Sequence, residues 1–218
     1  MKYGLLFSAF ALLALAFAKP PKKKVVFFGD SITQMGVNAG GYIDQLKNQL
    51  KTQGKGDQYE LIGAGIGGNK VYDLYLRVQE DVLDKKPDVV VIYIGINDVW
   101  HKTSGTGTDK DKYEKFYRAL IQLFQKNNIR VVLCTPTVIG EKLNGANPQD
   151  ADLDAYGEVV RLLAKEKNCE LVDLRKIFLQ YLLLNNKENK ESGLLTTDRV
   201  HLNDAGNKLV AEAILSKI

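Results

Sequence analysis

The sequence predicts an α/β fold of three layers, a five-stranded parallel sheet with helices on both faces. Three observations predict it. Five short runs are rich in Val, Ile, Leu and Phe at consecutive positions, as strands buried on both faces are. Segments with apolar residues at helical spacing separate those runs. No internal repeat or interdomain linker breaks the alternation.

The first strand is residues 24–28, rich in Val and Phe and ended by Gly29. Residues 41–53 carry Ile43, Leu46 and Leu50 on one helical face. The second strand, 59–62, runs into a glycine cluster that includes Gly65, Gly67 and Gly68. A helix over 70–84 follows from the stripe Val71, Leu74, Val78 and Val82. Pro87 opens the strongest strand, 88–94. Residues 112–126 are helical through Phe116, Leu120 and Phe124, and 129–135 form the fourth strand. A helix over 152–167 leads to the fifth strand, 169–172, and helices over 177–184 and 205–217 close the chain. Right-handed crossovers leave few topologies. The flavodoxin-like order 2-1-3-4-5 is the expected one, with ligands beyond the carboxyl ends of the strands where the order reverses, between strands 1 and 3.

Composition narrows the function classes. Thirty Lys and Arg against 26 Asp and Glu give a charge of +4, too small and too scattered for a nucleic-acid binder. Two Cys and two His exclude a disulfide scaffold, a four-cysteine zinc site and a three-histidine metal site. Lys2 precedes an almost wholly apolar run, 4–18, that ends in Ala16-Phe17-Ala18 before a lysine- and proline-rich stretch. This is the layout of a signal peptide cleaved after Ala18, and the run is shorter than the roughly 20 residues that span a bilayer. The organisation expected is therefore a leader, 1–18, and one α/β domain, 19–218, secreted or periplasmic and without stable membrane insertion. Cys134 and Cys169 fall at opposite ends of neighbouring strands, too far apart for a bridge, and are expected as two buried free thiols.

Polar residues cluster at the strand ends. Strand 1 runs into Gly29-Asp30-Ser31, strand 2 into the glycines up to Gly68, and strand 3 into Gly95-Ile96-Asn97-Asp98. Asp198 and His201 stand three apart near the C-terminus. Of five serines, only Ser31 directly follows a buried strand. Each block alone has an ordinary reading: Ser31 as a helix cap, Asn97 and Asp98 as turn residues, Asp198 and His201 as a surface pair leading into a helix. Together they fit nucleophilic catalysis. A serine hydroxyl needs a base, imidazole suits that task near neutral pH, and the base needs a carboxylate to fix its tautomer. A developing oxyanion needs fixed donors, which a strand-end amide and a glycine N–H can supply.

The ordered set Gly29-Asp30-Ser31, Gly68, Gly95-x-Asn97-Asp98 and Asp198-x-x-His201 resembles the SGNH (GDSL-type) hydrolases. The resemblance implies Ser31 as nucleophile, His201 as base and Asp198 as its partner. It implies an oxyanion hole from the N–H groups of Ser31 and Gly68 and the side chain of Asn97, Gly68 being taken over the adjacent Gly67, and no metal or cofactor. It implies hydrolysis of carboxylic esters through an acyl-enzyme. For an exported chain without a lipid-facing apolar cap, the first substrate class is short-acyl (acetyl) esters of carbohydrates or small alcohols; lysophospholipase or thioesterase activity is the alternative within the family. Asp30 is read as shaping the turn. Trp100 and His101 follow the Asn97 block as candidate cleft residues, His101 alternatively as loop packing, and loops 102–109 and 137–150 are candidate pocket walls. Gly63-x-Gly65-x-x-Gly68 also matches a dinucleotide fingerprint, but it follows the second strand, and Asp88 begins a strand where the ribose-binding acid should end one. A nucleotide-binding module or a non-catalytic domain of this fold is therefore the remoter reading.

Overall fold

The computed structural model describes residues 21–218. The leader expected at 1–18 lies outside the described residues. The elements are β1 (Lys23–Gly29), α1 (Ser31–Gly36), α2 (Tyr42–Thr52), β2 (Tyr59–Gly65), α3 (Val71–Asp81), β3 (Val89–Tyr93), α4 (Ile96–Trp100), α5 (Lys110–Lys126), β4 (Arg130–Cys134), α6 (Asp150–Glu166), β5 (Glu170–Val172), α7 (Leu174–Asn185) and α8 (Asp204–Leu215).

The strands pair in parallel in the order β2-β1-β3-β4-β5, as expected. β1 and β3 lie in the interior, and Val25 to Phe28 and Val89 to Ile92 are fully buried. Each large apolar side chain removed from water in this way contributes roughly 1.5–3 kcal/mol. Helices cover both faces: α2 packs against α8, while α3 packs against α5 and α5 against α6. The strands β2 and β5 form the edges and are only partly buried. Their apolar runs are interrupted by Glu60 and Glu170, charges that an edge strand tolerates and a central strand does not.

Other departures from the sequence reading have local causes. Helix α7 starts at Leu174, three residues earlier than its apolar pattern suggests, because a buried Arg175 occupies a core-facing position. Asp173 caps that helix by accepting the N–H of Lys176. Helices α1 and α4 span 6 and 5 residues, too short to show a helical stripe. Both cysteines are free, but only Cys134 is buried. Cys169 lies just ahead of β5 and is half-buried, and burial pushes its thiol up to about 11. No helix among the described residues is long and apolar enough to cross a membrane.

Register decides what meets at the top of the sheet. Gly29, the last residue of β1, lies level with Gly65 of β2 and Tyr93 of β3. The segments that leave these strands therefore emerge side by side. Helix α1 starts so close above β2 that a Cβ on Gly65 would lie 2.1 Å from the backbone nitrogen of Gln34 and 2.5 Å from the carbonyl carbon of Thr33. Gly65→Ala should accordingly destabilise the fold by about 1–3 kcal/mol, measured by urea unfolding. An unchanged midpoint would mean that α1 is free to shift away from β2.

Candidate active site

Asp30 turns the chain from β1 into α1. Its carboxylate accepts the N–H of Ile32 at 3.0 Å, which makes Asp30 the cap and Ser31 the first helical residue. Ser31 Oγ lies 3.0 Å from His201 Nε2. On the far side of the ring, His201 Nδ1 lies 2.6 Å from Asp198 Oδ2. A carboxylate at Nδ1 keeps the proton there, so Nε2 is left to accept from the serine hydroxyl. Asp198 Oδ1 also accepts the backbone N–H groups of His201 at 2.7 Å and Val200 at 3.1 Å. This tight turn needs Arg199 in the left-handed region, at φ 82°. Burial pushes the Asp198 carboxyl up, but the hydrogen bonds from the His201 ring and from the two N–H groups outweigh it and hold the group below the usual carboxylate range. The carboxylate is thus ionised wherever the imidazole can work as a base.

The turn after β2 supplies a donor by elimination. Ile66 N–H donates to Gly29 O at 3.2 Å, and Asn69 N–H to Ile66 O at 3.3 Å. Gly67 N–H donates to Gln34 Oε1 at 2.9 Å, and Lys70 N–H to Asp73 Oδ2 at 2.8 Å. Among the described residues, only the Gly68 N–H of this run has no acceptor. Gly68 is exposed, with φ 77°, and a Cβ there would meet nothing within 4 Å. Asn97 is buried and spends one Nδ2 hydrogen on Asn69 O at 3.1 Å, leaving the second. The Ser31 N–H, at the start of α1, has no intrahelical acceptor, as the first amides of any helix lack one. Three unspent N–H donors thus belong to three adjacent strand ends, beside a hydroxyl that is hydrogen-bonded to an imidazole. Such an arrangement can deprotonate a nucleophile and hold a developing oxyanion.

A profile of the GDSL-like lipase/acylhydrolase family matches residues 27–209, from within β1 to past His201. The chain belongs to this family. It is a carboxylic ester hydrolase. An acetylxylan esterase of Geobacillus stearothermophilus is 32% identical over 212 residues, 90% of this chain and 94% of that one. The crystal structure of an acetyl xylan esterase, AlAXEase, is 63% identical, with a TM-score of 0.88 over 89% of this chain and 99% of that one. A lipoprotein of Bacillus subtilis (strain 168), YqeF, is 31% identical over 87% of each chain.

Two features of this GDSL-like site escaped the sequence. The first is Glu141. Its fully buried carboxylate accepts the N–H groups of Leu194, Leu195 and Thr196 at 2.8, 2.8 and 2.6 Å, and the Thr196 hydroxyl at 2.7 Å. The neighbouring Gly140 N–H donates to Arg199 O at 2.8 Å, between Asp198 and His201. The 137–150 loop, expected as a pocket wall, thus anchors the segment that carries the imidazole. Its donors lie more than 50 residues away, and no local pattern marks the glutamate. The second is Gln34, whose side chain takes up the Gly67 N–H and leaves Gly68 as the open amide.

Trp100 packs edge-on against His201, ring centroids 6.4 Å apart. The His101 ring lies 5.7 Å from that of Trp100, and burial and the Lys70 charge lower its pKa. Of the two candidate cleft residues, Trp100 is the one in contact with the imidazole. Asp98 directs both oxygens at the Val71 N–H, at 3.2 and 3.3 Å, and burial pushes it up to about 6.

Burial also pushes Asp30 up to about 7, with the Asp98 charge adding and the Ile32 N–H opposing. A carboxyl raised above its unfolded value, near 3.9, stabilises the fold fully below about pH 4 and loses that contribution as pH rises through about 7. Asparagine keeps the capping oxygen and never ionises. The Tm difference between Asp30→Asn and wild type should therefore be more favourable to the variant at pH 8 than at pH 5. Equal differences at the two pH values in thermal melts would contradict this titration.

Proposed function

We propose that this chain is an exported serine esterase that removes acetyl groups from carbohydrate, with acetylated xylan as the substrate class. Ser31 Oγ attacks the acetyl carbonyl while His201 Nε2 takes its proton. The tetrahedral oxyanion is held by the N–H groups of Ser31 and Gly68 and by the Asn97 amide. Collapse expels the sugar hydroxyl, which takes the proton from His201, and leaves acetyl-Ser31. Water then attacks the acyl-enzyme with His201 as base, and acetate departs. Asp198 stays ionised throughout and supports the imidazolium.

One observation carries this reading: the unbroken hydrogen-bond chain from Ser31 Oγ to His201 Nε2, 3.0 Å, and from His201 Nδ1 to Asp198 Oδ2, 2.6 Å. The three unspent donors beside it support the oxyanion assignment. The acetyl-xylan-esterase relatives, one of them 63% identical, support acetylated carbohydrate as substrate over lipid or thioester. The apolar 4–18 segment ending in Ala16-Phe17-Ala18 supports export with cleavage after Ala18, and a lipoprotein among the relatives is in keeping with it.

Ser31→Ala should abolish turnover of p-nitrophenyl acetate, and Asn97→Ala should lower kcat by on the order of 10²–10³. Near-normal rates in the serine variant would reject the mechanism; an unchanged kcat in the asparagine variant would remove Asn97 from the hole. The substrate assignment is tested separately. Acetate should be released from acetylated xylan, and p-nitrophenyl esters should be cleaved more slowly as the acyl chain lengthens from acetate to octanoate. Faster cleavage of octanoate with no acetate from xylan would favour a lipid ester instead.

A further inference from the structure

The two backbone donors of the oxyanion hole come from different segments, one after β1 and one after β2. Something must hold the turns at a fixed separation. Arg77 of α3 reaches both. Its Nη2 donates to Gly29 O at 2.8 Å, two residues before Ser31. Nη1 and Nη2 each lie 3.1 Å from Ala64 O, on the strand that leads to Gly68. Nε donates to Asn69 Oδ1 at 2.7 Å, the residue directly after Gly68. The guanidinium carbon sits 4.6 Å from the centroid of the Phe28 ring, on the strand that carries Ser31. Asp81, one turn further along α3, neutralises the charge. The side chain is 15% exposed, and its hydrogen bonds go to Asn69, Ala64, Asp81 and Gly29 and not to Ser31 or His201. Asn69 O in turn receives the Asn97 amide, so the third donor is fixed to the same turn.

We propose that Arg77 is a positioning residue for the oxyanion hole. Its planar cation spans the carbonyls of both strands and the side chain beside Gly68, and so sets how far the Gly68 N–H stands from the Ser31 N–H. Lysine cannot do this, because a single ammonium offers its donors from one point while the fork offers them along a rigid plane. A shift of about 1 Å in a reacting geometry can cost on the order of 10²-fold in rate. The loss should fall on kcat, since the oxyanion exists only in the transition state.

This inference rests on the proposed esterase mechanism, and Ser31→Ala serves as the control that separates the two. Arg77→Lys and Arg77→Ala are compared with wild type on p-nitrophenyl acetate, with melting curves to establish folding and with millimolar guanidinium added back. We expect folded Arg77→Lys to lose about 10- to 100-fold in kcat with KM nearly unchanged. Guanidinium should restore part of the activity of Arg77→Ala and none in wild type or Arg77→Lys. The inference is overturned if folded Arg77→Lys keeps wild-type kcat, if the loss lies in KM, if guanidinium rescues nothing, or if neither variant folds, which would make the residue purely structural. An active Ser31→Ala would instead overturn the mechanism itself.

Discussion

The hydrogen bond between Ser31 Oγ and His201 Nε2 joins residues 170 apart in the sequence, and every chemical statement about this protein depends on it. Such a bond contributes only about 0.5–1.5 kcal/mol net, too little to order the loops that bear its two ends. It is a consequence of the fold and not one of its causes. One end is fixed by β1, an interior strand whose apolar residues are wholly buried, and by the cap at Asp30. The other is fixed by Glu141, which spends its carboxylate on four donors of the 194–196 segment. Between these two anchors the hydroxyl and the imidazole have little choice but to meet.

The site is built at the expense of local stability. Asp30 and Asp98 are carboxyls in places that raise their pKa, Arg199 holds a left-handed conformation, and Gly65 leaves no room for a methyl group. Each is unfavourable alone. Each also sets one chain segment near the site: the cap under Ser31, the first amide of α3, the turn of the imidazole, the approach of α1 to β2. The interior of the sheet, where nothing reacts, shows no such compromises, and its residues follow the apolar pattern of a doubly covered strand.

That contrast explains what the sequence revealed. The interior strands were legible because burial on both faces admits only apolar residues, as in Val89 to Tyr93. That Ser31, His201 and Asp198 would come together could be anticipated because a hydroxyl, an imidazole and a carboxylate are few in kind, and because the strand ends could be located. Glu141 was not legible, since its partners are backbone amides, which have no sequence signature. Arg175 misled for a different reason: a buried arginine satisfied by the distant carboxylates of Asp150 and Asp154 and by the Thr137 carbonyl looks, in one dimension, like a surface charge. The helices α1 and α4 were too short for any periodicity. What could be read was residue chemistry and period; what could not was backbone accounting.

Backbone accounting is also what separates the two sides of the crevice. On the His201 side, the buried Glu141 carboxylate gathers amide hydrogens; on the Gly68 side, Arg77 of α3 gathers carbonyl oxygens and an Asn side-chain oxygen. Burying either charge is costly unless its hydrogen-bonding capacity is filled. Here it is filled by main chain more than by an opposite charge, and the main chain so gathered is that which carries His201 on one side and Ser31 and Gly68 on the other. A salt bridge ties one side chain to another, and either can swing. A charge saturated by peptide groups from one segment fixes the path of that segment. The Asp198–His201 pair needs no such long-range help for its own contact, because the left-handed residue between them closes the turn locally. Only the meeting of that preformed pair with the serine and the open amides requires the whole fold, and Glu141 and, on our proposal, the mostly covered Arg77 lie where that meeting is decided.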